Sequence, residues 1–181
     1  VLPGVISYTD QIAHEWFAPA GLNRGGLTTV LEAKTRLTHA ERDDLYENKI
    51  NPIASFPGQG VVVFGQKTLQ TKPSALDRIN VARLVIYLRS QLKKLAKPYI
   101  FEPNDKITRD EIKAQADSLM LELVSQRALY DFLVVCDESN NTPSRIDRNE
   151  LYLDIAIEPV KAVEFIYIPL RLKNTGEISG L

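Results

Sequence analysis

Apolar and polar positions along the chain follow two rhythms, and the helical one is strongest between Pro73 and Glu111. At about 100° per residue, Val81, Leu84, Val85, Leu88, Leu92 and Leu95 fall on one stripe of a single long helix. Ile79, Ala82 and Ile86 form a second stripe, roughly 100–160° from the first on the same period. A long helix that is apolar on two sides is covered twice, by its own domain and by something else. Ser74 or its neighbour caps its start, with Asp77 completing an S-x-x-D box whose acid suits the positive helix end. Pro98 marks its stop, because the ring cannot continue the hydrogen-bond ladder. Arg78, Arg83, Arg89, Lys93 and Lys94 fill the remaining surface.

Two further helices are signalled by their caps. Thr38 and Glu41 form a capping box for a helix through about Asn48, which Asn51-Pro52 then breaks. Thr108 and Glu111 predict another through about Gln126, with Ile112, Ala116, Leu119 and Leu123 on one face. The strand rhythm appears elsewhere. A turn at Pro57-Gly58 precedes a β-branched run, Gly60–Phe64, whose unbroken apolarity predicts cover on both faces. Residues 129–136 and 151–157 read as two more strands, separated by a polar loop (137–149) with a turn near Thr142-Pro143. Residues 162–173 read as a last strand, with Phe165, Tyr167 and Pro169 on one side and Glu164, Ile166 and Ile168 on the other. Pro169 removes a ladder donor, so this strand lies at an edge or leaves its sheet there.

Residues 1–37 are expected to be irregular, punctuated by Pro3, Gly4, Pro19, Gly21, Gly25 and Gly26, with TTVLEA as a short strand. Trp16–Phe17 is an apolar anchor that serves either the core or a partner. Residues 99–102 read as short and extended. The element order gives an α+β fold, a mixed β-sheet of about four strands with helices packed on it.

Composition narrows the function more than it identifies one. The 181 residues suffice for a real core, and 44% hydrophobic with 25% charged content is ordinary for a globular chain. A net charge of −1 supplies no basic field for nucleic acid. Cys136 is the single cysteine, which leaves no intrachain disulfide and no thiolate metal cluster. No apolar run is long enough to span a bilayer, and no secretory signal precedes the first residues. The chain opens at Val1 within structured context, and is expected to continue a longer polypeptide.

Chemical motifs are few. His14 and His39 stand alone in the sequence, whereas metal sites need clustered ligands. A Cys–His nucleophile pair using Cys136 with either histidine stays open on spacing, but Cys136 ends a buried strand, which suits an inert thiol. Gly58, Gly60 and Gly65 form neither a dinucleotide fingerprint nor a P-loop. Asp137–Asn141 begins like a calcium loop, yet Thr142 and Arg148 stand where glycine and glutamate are required, so turn capping is the better reading. The basic residues of the long helix are interleaved with acids and lack an aromatic platform, which argues against nucleic acid. No catalytic, cofactor-binding or metal residue is assigned. On the residues alone, a self-associating structural protein is favoured over an enzyme.

Five stretches carry a more specific signal: FAPAGLNRGGL (17–27), RDDLYENKINPIASFPGQGVVVFGQKTL (42–69), PSALDRINVARLVIYL (73–88), FEPND (101–105) and VVCDESNNTPSRIDRNELYLDIAIEPVKAVEFIYIPL (134–170). In this order they resemble the C-terminal part of contractile tail sheath proteins, of the kind found in T-even-type myoviruses and related contractile injection machines. Ala82 departs from the second arginine that the family often carries before Arg83. The resemblance implies a non-enzymatic part of the virion tail, made in the host cytoplasm, without cofactor, nucleic-acid ligand or membrane anchor. Its partners would be other sheath subunits in hexameric rings, the tail tube protein, and baseplate and tail terminator proteins. It further implies an irregular segment (1–37) continuing from upstream, then an inner, tube-facing domain (38–181) ending in an arm at about 162–181. Such extended arms add strands to neighbours' sheets. Arg78, Ile79, Arg83, Ile86, Phe165, Tyr167, Pro169 and Arg171 are the expected subunit-interface residues. The sheath of a bacterial injection system and a non-contracting baseplate component of the same fold are the alternatives.

Overall fold

The computed structural model describes residues 1–170. Its elements run α1 (Leu2–Ile12), α2 (His39–Glu47), β1 (Ile53–Phe56), β2 (Gly60–Val63), α3 (Ile79–Ala96), α4 (Lys106–Ser125), β3 (Leu129–Val135), α5 (Pro143–Ile146) and β4 (Asp154–Pro159). The class is α+β, as the sequence indicates. The four strands divide differently, however. β1 pairs with β2 and β3 with β4, both antiparallel, in place of one mixed sheet. Each strand pairs with a neighbour in strand order, so neither sheet needs the crossover that parallel pairing would demand.

The main core forms where α3 and α4 pack on the β3–β4 ribbon. Leu84 and Leu88 of α3 meet Ala116, Met120 and Leu123 of α4, with Trp16, Leu129 and Val134 completing the cluster. Trp16 is therefore a core residue, and its indole N–H donates to the Gln126 carbonyl at 3.1 Å. Along the first stripe of α3, Val81, Leu84 and Leu88 are buried and Val85, Leu92 and Leu95 are half-buried. On the second, Ile79 and Ala82 are half-buried and Ile86 is 67% exposed.

Several local expectations are corrected. Ser74 does not start α3. Its hydroxyl accepts from the Leu76 N–H and caps one 3-10 turn, Ala75–Asp77. Arg78 is then extended, because Ile79 N–H donates to Gln66 and Thr68 N–H donates to Asp77, pairing 66–68 with 77–79. α4 begins before Thr108, since the Asp105 carboxylate accepts from the Thr108 N–H at 2.9 Å. Residues 97–99 form a 3-10 turn, and Phe101 follows at φ 78°, so 99–102 is not extended. The polar loop carries the short α5 where a turn was expected.

The N-terminal stretch, expected to be irregular, opens with α1. Pro3 sits in its first turn, where the missing N–H costs nothing. TTVLEA forms no strand. Instead, residues 25–27 lie along β2, with Leu27 N–H donating to Val61 and Val63 N–H donating to Gly25, both at 2.8 Å. A Cβ on Gly25 would stand 2.5 Å from the Val63 carbonyl oxygen, so only glycine permits this approach. β2 is thus flanked on both edges, and Val5, Leu27, Val61 and Val63 make a second, smaller core.

The last expected strand is absent from the described residues. Val160 N–H donates to the Ala128 carbonyl, and 161–170 then pair with no strand. The side chains alternate as in a strand, but within the described residues the chain offers no edge beside them.

Candidate functional site

The unpaired segment 161–170 is held to the body at one side chain. Glu164 is its only half-buried residue; the others are exposed. Its carboxylate accepts from Arg78 Nε at 2.6 Å and Arg78 Nη2 at 2.9 Å, and from Gln66 Nε2 at 3.4 Å. The paired rungs 66–68 and 77–79 set Gln66 and Arg78 side by side, while α2 brings Tyr46 to the same carboxylate. Burial disfavours the Glu164 charge, but the hydrogen bonds from Arg78 and then Tyr46 outweigh it and hold the carboxyl below its ordinary value. Burial first, and Glu164 second, push the Tyr46 phenol up.

Arg83 is engaged as well, through Nη2 to Asp10 Oδ2 at 2.6 Å, which ties α1 to α3. Among the expected interface residues, Arg78 and Arg83 thus hold bridges within the chain, and Ile79 is half-buried. Ile86, Phe165 and Tyr167 are exposed, as is Pro169. Arg171 lies outside the described residues. The structure brings the arm and the start of α3 together at Glu164, whereas Ile86 points to solvent elsewhere on α3. Glu164, Gln66, Tyr46 and Asp10 were missed from the sequence. The one available signal was Glu164 as the sole acid in the apolar run 159–170.

Beside the clamp lies a groove of about 460 Å³, with Phe17, Tyr46 and Phe64 among its apolar walls and residues 160–165 along one side. Arg24 and Arg127 stack over Phe17, and Arg42 over Phe64. On its floor, Asn80 donates to the Trp16 and Val160 carbonyls. The side-chain oxygens of Asn80 and Gln66 have no hydrogen-bond partner among the described residues.

The β3–β4 ribbon offers a different kind of surface. One face packs on α3 and α4, while Tyr130 and Leu133 are exposed. No further strand pairs with either outer edge among the described residues. Asn140 and Asn141 secure the connecting loop: Asn140 Nδ2 donates to the Val135 and Tyr152 carbonyls, and Asn141 Oδ1 accepts from Tyr152 N–H. These contacts bear out turn capping for 137–141, with Asp137 accepting from the Ser139 N–H.

Cys136 is buried, and burial pushes its thiol up, the opposite of what a nucleophile needs. His14 stacks on Trp16 and His39 faces Asp43 on the surface. Among the described residues, no three His, Cys, Asp or Glu side chains cluster to hold a metal, and no helix is long and apolar enough to cross a membrane.

Residues 71–173 match the family model described as the phage tail sheath C-terminal domain. The chain is 43% identical over 174 residues to the tail sheath protein of Vibrio phage KVP40 and 35% identical over 184 residues to that of Enterobacteria phage T4. These alignments cover 96% and 99% of the chain, but only 26% and 28% of the relatives. The chain therefore spans about a quarter of the curated relatives it matches. Among solved structures, it is similar to a chain of the anti-feeding prophage baseplate, with TM-score 0.86 and 26% identity, covering 96% of this chain and 49% of that one. It is likewise similar to the helical sheath of the anti-feeding prophage in its contracted state, with TM-score 0.82 and 26% identity, covering 94% and 49%.

Proposed function

The chain belongs to the phage tail sheath family, in its C-terminal domain, and on that premise we propose that it forms part of a structural subunit of a contractile tail sheath. The subunits stack as a helical array of hexameric rings around the tail tube. Their contraction drives the tube through the host envelope for genome delivery. Neighbouring sheath subunits, the tube protein, the baseplate and the tail terminator are the partners. The subunit works in the virion and performs no catalytic step.

The observation that carries this reading is the unpaired segment 161–170, which exposes Val163, Phe165, Ile166, Tyr167, Ile168 and Leu170. A segment with strand alternation and no partner edge among the described residues suits strand addition to a neighbouring subunit, where main-chain bonds give affinity. The outer edges of the β3–β4 ribbon, unpaired among the described residues, are fitting acceptors. Phe165, Tyr167, Pro169 and Ile86 are the contacts proposed to face neighbours. Arg78, Ile79 and Arg83 support them by placing α3 and the root of the arm. Higher identity to phage sheaths than to the anti-feeding prophage structures favours the viral tail over a bacterial injection machine.

Negative-stain electron microscopy of the full-length parent protein at high concentration tests the proposal. Regular tubes with a helical surface lattice are expected. Dispersed particles alone, even with the tube protein present, would instead favour a static tail component.

A further inference from the structure

We propose that Glu164 is a releasable stop, which sets how much of the terminal segment is free to reach a neighbour. The proposal rests on the sheath reading for its use, while the stop itself is argued from this chain. Residues 161–170 make no strand, and every one except Glu164 is exposed. Glu164 alone is fastened, by Nε and Nη2 of Arg78 and by Gln66, with Tyr46 at the same carboxylate, while Arg78 Nη1 is held by Asp77. Its donors come from three places in the sequence, and two of them sit on the paired rungs 66–68 and 77–79. The receiving side is therefore part of the body and stays put whatever the arm does.

The clamp is a different kind of fastening from the core. It is one bidentate ion pair whose side chains keep 25% and 16% exposure, so water can take over its hydrogen bonds when it opens. Fastened, the free arm starts at Phe165. Released, it starts at Lys161, and four more extended residues lengthen its reach by roughly 13 Å. Because the planar guanidinium fits the carboxylate in one geometry, the arm has two discrete lengths rather than a continuous range. A neighbour that moves away can draw out this slack without unpairing from the arm and without disturbing α3.

Spin labels at Ala162→Cys and Ser90→Cys, both exposed positions, read the stop as a distance distribution in the purified chain. Native Cys136 is buried and can remain. A narrow distribution is expected with Arg78 and Glu164 intact. Arg78→Ala and Glu164→Gln should each widen it at least about twofold and shift its mean, while Arg78→Lys, which keeps the charge but not the fork, should fall between. A second pair, Ser90→Cys with Ser118→Cys on α3 and α4, should not change and certifies the fold. Should Arg78→Ala unfold the chain, Glu164→Gln carries the test, since it lies outside every helix and strand. An unchanged width in Glu164→Gln would overturn the proposal. Both labels sit within one chain, so this result is separate from whether the parent protein forms tubes.

Discussion

Glu164 keeps its charge although burial disfavours it, because Arg78 and Tyr46 compensate. Its folded carboxyl lies below the ordinary 4.5, so the unfolded chain takes up the proton more readily. The stability from the clamp is then fully present above about pH 4.5 and is lost as pH falls through the lowered folded value. Glu164→Gln should cost about 1–2 kcal/mol in urea unfolding at neutral pH. The difference from the parent chain should close as acidification carries the pH through that lowered folded value. Phe101 presents the opposite case. It is fully exposed and held at φ 78°, so it buries nothing and pays for a left-handed backbone. Phe101→Gly should raise stability by about 0.5–1 kcal/mol, read as a higher melting temperature.

Among the elements, those defined by nearby residues were legible. The Thr38–Glu41 box caps α2 from both directions, with Thr38 N–H donating to Glu41 and Glu41 N–H donating to Thr38. The buried stripe of α3 and the β-branched run of β2 also follow from spacing alone. α4 shows why boundaries slip. Asp105-x-x-Thr108 and Thr108-x-x-Glu111 are overlapping cap signals, and the chain uses the first. Asp105→Ala should accordingly cost about 1 kcal/mol in chemical unfolding. α1 was hidden by Pro3 and Gly4, although Val5 and Thr9 lie four apart and are buried, with the Thr9 hydroxyl bonded to the Val5 carbonyl. Contacts between distant residues had no local signature. Arg78–Glu164 and Arg83–Asp10 join residues 86 and 73 positions apart, and no pattern announces such a partner. The same limit explains the last segment: alternation reveals strand preference, but not whether an edge stands beside it. The strip 25–27 beside β2 depends on one atom that is absent. Gly25→Ala should destabilise by more than about 2 kcal/mol and lower the amide protection of Leu27 and Val63 together.

At the scale of the whole molecule, a body with two cores carries an apolar extension that stays exposed among the described residues. Burial raises the Cys136 thiol, so on the proposed function Cys136→Ala should leave tube formation by the parent protein unchanged in electron micrographs. The extension raises a problem of its own. Residues 165–168 (FIYI) combine high strand preference with no charge, the composition of segments that stack into fibrils. Open-ended pairing between identical copies propagates unless something ends it. Pro169 sits immediately after this run and has no N–H to offer a growing stack. On the proposed strand addition, it would serve as a gatekeeper that allows a short register and denies a longer one. Replacing it with threonine should therefore make the chain bind amyloid dye on concentration. In the proposed assembly, a residue that stops pairing counts as much as those that begin it.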